Sequence, residues 1–220
     1  MRQRAGHRRR RVWLGAYLST LGLGLVLVHP VAAGVPMDLV KTGLDRVLSL
    51  VQDPELRKPA NTLERRRRVR AVANDLFDWQ ETGKRALARH WNTRTPQQRA
   101  EFSALFSDLI ERSYVRKIEA YSGERILYTG ESIDGDVATV NTKLVSRSGA
   151  DIPIDYRLQR EGDTWRIYDV LIEGVSLVSN YRSQFNRIIQ QSGYDDLIRK
   201  MKTKQEELLF DDAEKAKKTP

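Results

Sequence analysis

The chain has 220 residues, no cysteine, and 38 Lys+Arg against 29 Asp+Glu. That length holds one sizeable domain or two small ones, and such a domain can bury enough core to fold without disulfides. Lack of cysteine excludes thiolate chemistry and every cysteine-containing metal site.

The first residues read as an export signal. Arg2, Arg4 and Arg8 to Arg11 form a basic stretch without an acid, and Val12 to Val28 carries no charge. Val31 and Ala33 then stand at the −3 and −1 positions of a signal-peptidase site. Residues 1–33 are expected to be a cleaved secretory signal. An uncleaved membrane anchor is the alternative, but the glycines and the small-residue cleavage site favour removal. Without the six signal arginines the balance is 32 basic against 29 acidic residues, or +3. That leaves no global case for nucleic acid as a partner. The one local case is "ERRRRVR", Glu64 to Arg70, expected to be the solvated basic face of a helix.

Along the chain, Leu39, Val40, Leu44, Val47, Leu48 and Val51 share one face of a helix over 36–52, which "DPELRKP" ends. A second helix is expected over roughly 61–77, and a short third between Trp79 and Trp91. The best-marked element follows. Thr95 is placed as N-cap, Pro96 at the first helical position and Gln98 as the partner in a capping box. Phe102, Leu105, Phe106, Leu109, Ile110, Tyr114, Ile118 and Tyr121 then recur at three and four, until Gly123 stops the helix. Four strands follow: "RILYTGE", "DVATVNTKLVS", "DIPIDYRLQR" and "TWRIYDVLI". Short turn-rich links between them fit an antiparallel meander. One sheet face needs cover, and the helix with Phe102, Phe106 and Tyr114 is expected to supply it, giving an α+β class. Val175, Val178, Tyr181, Phe185 and Ile188 mark another helix after Gly174. "GYDDLIRKMKTKQEELL" marks a last one, before a charged tail over 211–220.

Little in this chain carries catalytic chemistry. Beyond the signal there is one histidine, His90, in "RALARHWN", so any Ser–His–Asp arrangement depends on it. No G-x-S-x-G, P-loop or G-x-G-x-x-G is present there. Asp169 is expected on the same face as Trp165, Ile167 and Leu171, as a buried, hydrogen-bonded anchor. A pocket enzyme built on His90 or Asp169 is one reading. A lipid-free adaptor with solid aromatic core is another. The expectation adopted is no enzyme, no cofactor and no metal.

Two blocks carry a family resemblance. Ala86 to Tyr114, "ALARHWNTRTPQQRAEFSALFSDLIERSY", follows A-L-G-x-x-W/Y, then T-P-x-Q-R, then F-x-x-x-F and a tyrosine. Trp165 to Phe185, "WRIYDVLIEGVSLVSNYRSQF", follows W-x-x-Y-D-x-x-x-E-G-V-S and N-Y-R-x-x-F. The chain resembles the MlaC family of periplasmic phospholipid-binding proteins (toluene-tolerance proteins), over about residues 36–208. Ala88 departs from the pattern, where members often carry glycine. The resemblance implies a domain over 34–210, with a curved four-stranded antiparallel sheet packed on a helical layer and an apolar lipid cavity between them. It also implies phospholipid as cargo, periplasmic localisation, and two partners: an inner-membrane Mla ABC transporter complex and an outer-membrane lipoprotein–porin complex. A hopanoid carrier of the same superfamily is the near alternative. Val175 in "EGVS" would line the cavity. Side-chain direction adds Tyr156, Val170 and Ile172 from the sheet and Phe106, Leu109, Ile110 and Tyr114 from the long helix. Glu173 and Ser176 are expected to cap the helix after Gly174.

Overall fold

A computed structural model describes residues 35–203, apart from 122, 147 and 148. The expected signal and the charged tail lie outside the described residues. Helix α1 spans Pro36–Gln52, α2 Thr62–Leu76, α3 Trp79–Leu87 and α4 Pro96–Glu119. Strands β1 Arg125–Asp134, β2 Val137–Val145, β3 Asp151–Glu161 and β4 Thr164–Ile172 follow, then the short β5 Val175–Ser176 and α5 Leu177–Ser192. Residues 194–203 are helical again and are called α6. The sheet is an antiparallel meander in the order β1-β2-β3-β4-β5, with one short strand more than the sequence predicts.

Local chemistry sets these bounds. At the start of α4 the Thr95 hydroxyl accepts from Gln98 N at 3.2 Å while the Gln98 amide oxygen accepts from Thr95 N at 3.0 Å, the reciprocal capping box. Asp78 caps α3 by accepting from Glu81 N at 2.8 Å. Between β4 and β5, Glu173 and Gly174 take φ of +50° and +78°. That pair fits a tight two-residue hairpin turn, and glycine supplies half of it without a Cβ clash. The chain thus passes through β5 before the helix begins, and Ser176, not Glu173, is the cap: its hydroxyl accepts from Ser179 N at 3.0 Å.

The apolar residues gather into two clusters. In one, Val40 of α1 meets Val140, Tyr156, Leu158, Trp165 and Ile167 of the sheet, with Leu76 and Phe77 packed alongside. In the other, Leu87 of α3, Phe102, Phe106 and Leu109 of α4, and Val178 and Phe185 of α5 close on Leu197 and Met201 of α6. Its centre is aromatic: Phe102 and Phe106 meet Phe185 edge-on, with ring centroids 5.5 and 5.2 Å apart. The aromatic stripe of α4 is therefore covered mainly by helices, not by the sheet as expected. Periodicity marks a face as apolar without saying what covers it.

The arginine run on α2 also departs from expectation. Arg65 and Arg66 are only 12% and 20% exposed and both hold Glu119 of α4, at 2.8 and 3.0 Å. Arg70 reaches Glu111 and Asp108, about two and three turns further back on the same helix. Only Arg67 and Arg68 stay on the solvent side, paired with Glu64. The run is an ionic ladder between α2 and α4. Its partners lie 38 to 54 positions away in the chain, beyond any local pattern.

Candidate functional site

Cross-strand register builds a continuous apolar face. Ala138, Leu158 and Ile167 lie in one row, and Val140, Tyr156 and Val170 in the next. The row beyond runs through all five strands: Tyr128, Thr142, Ile154, Ile172 and Val175. Ile126, Leu144 and Ile152 form the last. Paired residues share a face, so Tyr156, Val170, Ile172 and Val175 stand on one side of the sheet.

Burial is graded along that face. Val140 and Leu158 are fully buried, and Trp165 and Ile167 nearly so, beneath α1 and the α2–α3 junction. Towards the other end Ile152, Ile154, Val170 and Ile172 are only half-buried, and Val175 is 59% exposed. Helix α4 shows the same gradient. Phe106 and Leu109 lie in the packed helical cluster at 0% and 5% exposure, while Ile110 and Tyr114 in the later turns are half-buried. Burial, with the nearby Tyr181, pushes the Tyr114 hydroxyl above its ordinary pKa.

One β-bulge matters. In β3–β4 the register shifts between Arg157 and Leu158, leaving Tyr168 as the extra residue. The shift turns Val170 and Ile172 onto the apolar face and sends Asp169 to the opposite one, beside Arg157. Asp169 therefore does not share the face of Trp165 and Ile167, and a strict two-residue alternation misplaces it. The expected anchor role holds: at 4% exposure, its carboxylate accepts from the Ser176 hydroxyl at 2.7 Å and from Val178 N at 3.1 Å. His90 Nε2 lies 3.0 Å from Asn186 Oδ1 of α5, a contact between the α3–α4 link and that helix.

Val69 and Val72 are apolar positions of the expected second helix that the sequence reading leaves outside the site, and Val115 of α4 falls outside that helix's expected apolar stripe. All three are buried, yet none belongs to either cluster. Val115 sits one turn from both Glu111 and Glu119, directly under the ionic ladder. The periodicity of α2 was legible, but only the ladder shows that its valines look towards α4.

The family profile described as MlaC protein matches residues 41–203. The chain belongs to the MlaC family. An intermembrane phospholipid transport system binding protein MlaC from Haemophilus influenzae is 25% identical over 199 residues, spanning 86% of this chain and 91% of that one. The toluene tolerance protein ttg2D of Pseudomonas putida is 28% identical over 102 residues, 46% of this chain and 47% of its own. Among solved structures, a phospholipid-binding protein from Ralstonia solanacearum, in complex with a phospholipid, superposes with a TM-score of 0.70 at 24% identity. That match covers 79% of this chain and 98% of the other, and it shows that the two chains share a fold. The family pattern also explains Ala88: its φ of +47° lies where glycine is favoured, so the alanine strains the turn after α3.

Proposed function

We propose that this protein is a periplasmic phospholipid carrier that shuttles lipid between an inner-membrane ABC transporter complex and an outer-membrane lipoprotein–porin complex. The observation that carries this reading is the graded face. One end of the sheet is ordinary core; the same rows continue into half-buried Ile154, Val170 and Ile172 and end at exposed Val175. A folded protein has little reason to extend an apolar row into solvent unless something apolar covers it. Acyl tails would lie along Tyr156, Val170, Ile172 and Val175, with Ile110 and Tyr114 from α4 and Val69, Val72 and Val115 under the ladder as further lining. Phe106 and Leu109 would back that surface from the helical cluster. The phospholipid-binding names of the relatives, and the signal-like residues 1–33, support cargo and compartment.

Transport as bound cargo follows from the energetics. Two acyl tails hold roughly 30 methylenes, so their exposure to water costs on the order of 20 kcal/mol at about 0.8 kcal/mol each. Escape into water is negligible on that scale, and release requires a docked complex that receives the tails directly. No bond is made or broken, so the protein needs apolar surface and shape, with no catalytic group.

Val175→Glu tests the reading cleanly. Because Val175 is 59% exposed and joins no cluster, the glutamate should shift stability by no more than about 0.5 kcal/mol. Native mass spectrometry of the purified proteins should then find a stoichiometric phospholipid on wild type and little on the variant. A hopanoid in place of phospholipid would redirect the cargo. Equal lipid on both proteins would refute the proposed lining. A wild type that carries no lipid and takes none from vesicles would refute carriage itself.

A further inference from the structure

Among the described residues, the two longest stretches without an acidic residue lie at 82–100 and 174–194. Residues 82–100 hold Lys84, Arg85, Arg89, Arg94 and Arg99, and residues 174–194 hold Arg182 and Arg187. The fold packs them together, α3 against α5. In a protein whose charges otherwise nearly cancel, this concentrates positive charge on one side of the molecule.

The arginines there differ from those of α2 in how they are satisfied. Arg65, Arg66, Arg67, Arg68 and Arg70 each hold a carboxylate. By contrast, Arg89 donates to Asn186 Oδ1 at 2.8 Å, Arg94 to Thr93 Oγ1 at 3.0 Å and Arg99 to the carbonyls of Trp91 and Asn92 at 3.1 and 3.3 Å. Arg182 has a 3.4 Å contact with Ser179 Oγ. All of these partners are neutral, and among the described residues none of these four arginines meets a carboxylate. The Arg94 Nε is enclosed without an acceptor.

Beside them opens a cavity of about 560 Å³ between α3, α5 and the sheet face opposite the apolar rows. Lys84, Arg85, Arg157 and Arg182 converge on it, with Trp91 and Asn92 at its wall. Its own acids are already engaged. Glu81 holds Lys84 and Arg85, both at 2.9 Å, and Asp169 caps α5 with Arg157 at 3.6 Å. The lining keeps a surplus of two positive charges.

We propose that this surface docks an acidic segment of a partner protein. The cavity is concave and basic, and Arg89 and Arg182 flank it as exposed, uncompensated guanidinium groups that suit carboxylates spaced along a chain. A membrane surface fits less well. Interfacial binding combines basic residues with apolar side chains that insert, and among the described residues none of the exposed large apolar ones, such as Leu63, Leu127 or Val175, lines this cavity.

The test uses a fluorescein-labelled peptide of alternating glutamate and serine, its glutamine counterpart, and vesicles rich in phosphatidylglycerol. Wild type should bind the acidic peptide and not the glutamine one, with affinity falling as salt rises from about 0.05 to 0.2 M. Arg89→Glu combined with Arg182→Glu should weaken binding about tenfold or more. Arg57→Glu combined with Lys58→Glu, an equal charge change on an exposed loop outside both acid-free stretches, should leave it nearly unchanged. Equal weakening by both pairs, no binding by wild type, or binding to vesicles without binding to the peptide would each overturn the proposal. Native mass spectrometry of the same variants keeps it separate from lipid carriage, which either result leaves standing.

Discussion

Replacing Asp169 by alanine should destabilise the fold by about 3–5 kcal/mol, the range for removing one partner of a buried ionic group. The carboxylate is 4% exposed and accepts two direct hydrogen bonds, from the Ser176 hydroxyl at 2.7 Å and from the buried Val178 amide at 3.1 Å. Bonds to a charged group contribute about 1.5–3 kcal/mol each, and alanine leaves both donors without an acceptor. Arg157 adds little, because it stands 3.6 Å away and is 43% exposed. Asparagine keeps an oxygen for one donor and should lose roughly half as much. Against a total of about 5–15 kcal/mol, the alanine loss is a large fraction. Urea unfolding followed by tryptophan fluorescence should show a lower midpoint with an unchanged slope. Arg157→Ala should move it by less than about 1 kcal/mol. If Asp169→Ala loses under about 1 kcal/mol, or asparagine and alanine lose the same amount, then Asp169 does not fasten β4 to α5.

Ala88→Gly should stabilise the protein by about 1–2 kcal/mol, since it relieves a φ of +47° on a residue with a Cβ; differential scanning calorimetry reads this as a raised Tm. Gly83→Ala should cost about 1–3 kcal/mol, because its Cβ would lie 2.7 Å from Ser103 Oγ where α3 crosses α4. Adding Ser103→Ala should recover part of that loss in a double-mutant cycle. Glu119→Gln should lose about 1–3 kcal/mol at neutral pH, because a neutral amide cannot hold Arg65 and Arg66 as a carboxylate does. Burial raises the Glu119 carboxyl, but hydrogen bonds and charge from the two arginines outweigh it and hold it below its ordinary 4.5. Its contribution is therefore complete above pH 4.5 and is lost as pH falls through the lower folded value. The stability gap between wild type and Glu119→Gln should be flat near neutrality and shrink below that pH in urea titrations.

Much of this protein was legible in its sequence, because many of its decisions are local. The α4 capping box needs only Thr95, Pro96 and Gln98, and α1 follows from one apolar stripe over 36–52. The meander follows from turn residues between alternating runs. The Trp165–Phe185 block carries the family, and with it Val175. Three decisions were not local. The bulge at Tyr168 inserts one residue into a period of two, so every later side chain in β4 changes face. Asp169 is carried away from Ile167, and Val170 and Ile172 are brought onto the apolar rows. Arg65, Arg66 and Arg70 of α2 find their acids on another helix, and a one-dimensional charge run cannot distinguish that from a solvated face. The stripe of α4 divides into solid core at Phe106 and a half-buried end at Tyr114. An apolar residue obeys the same periodicity in both places, so only the packing of α5 and α6 against one end decides which part is core and which stays partly exposed.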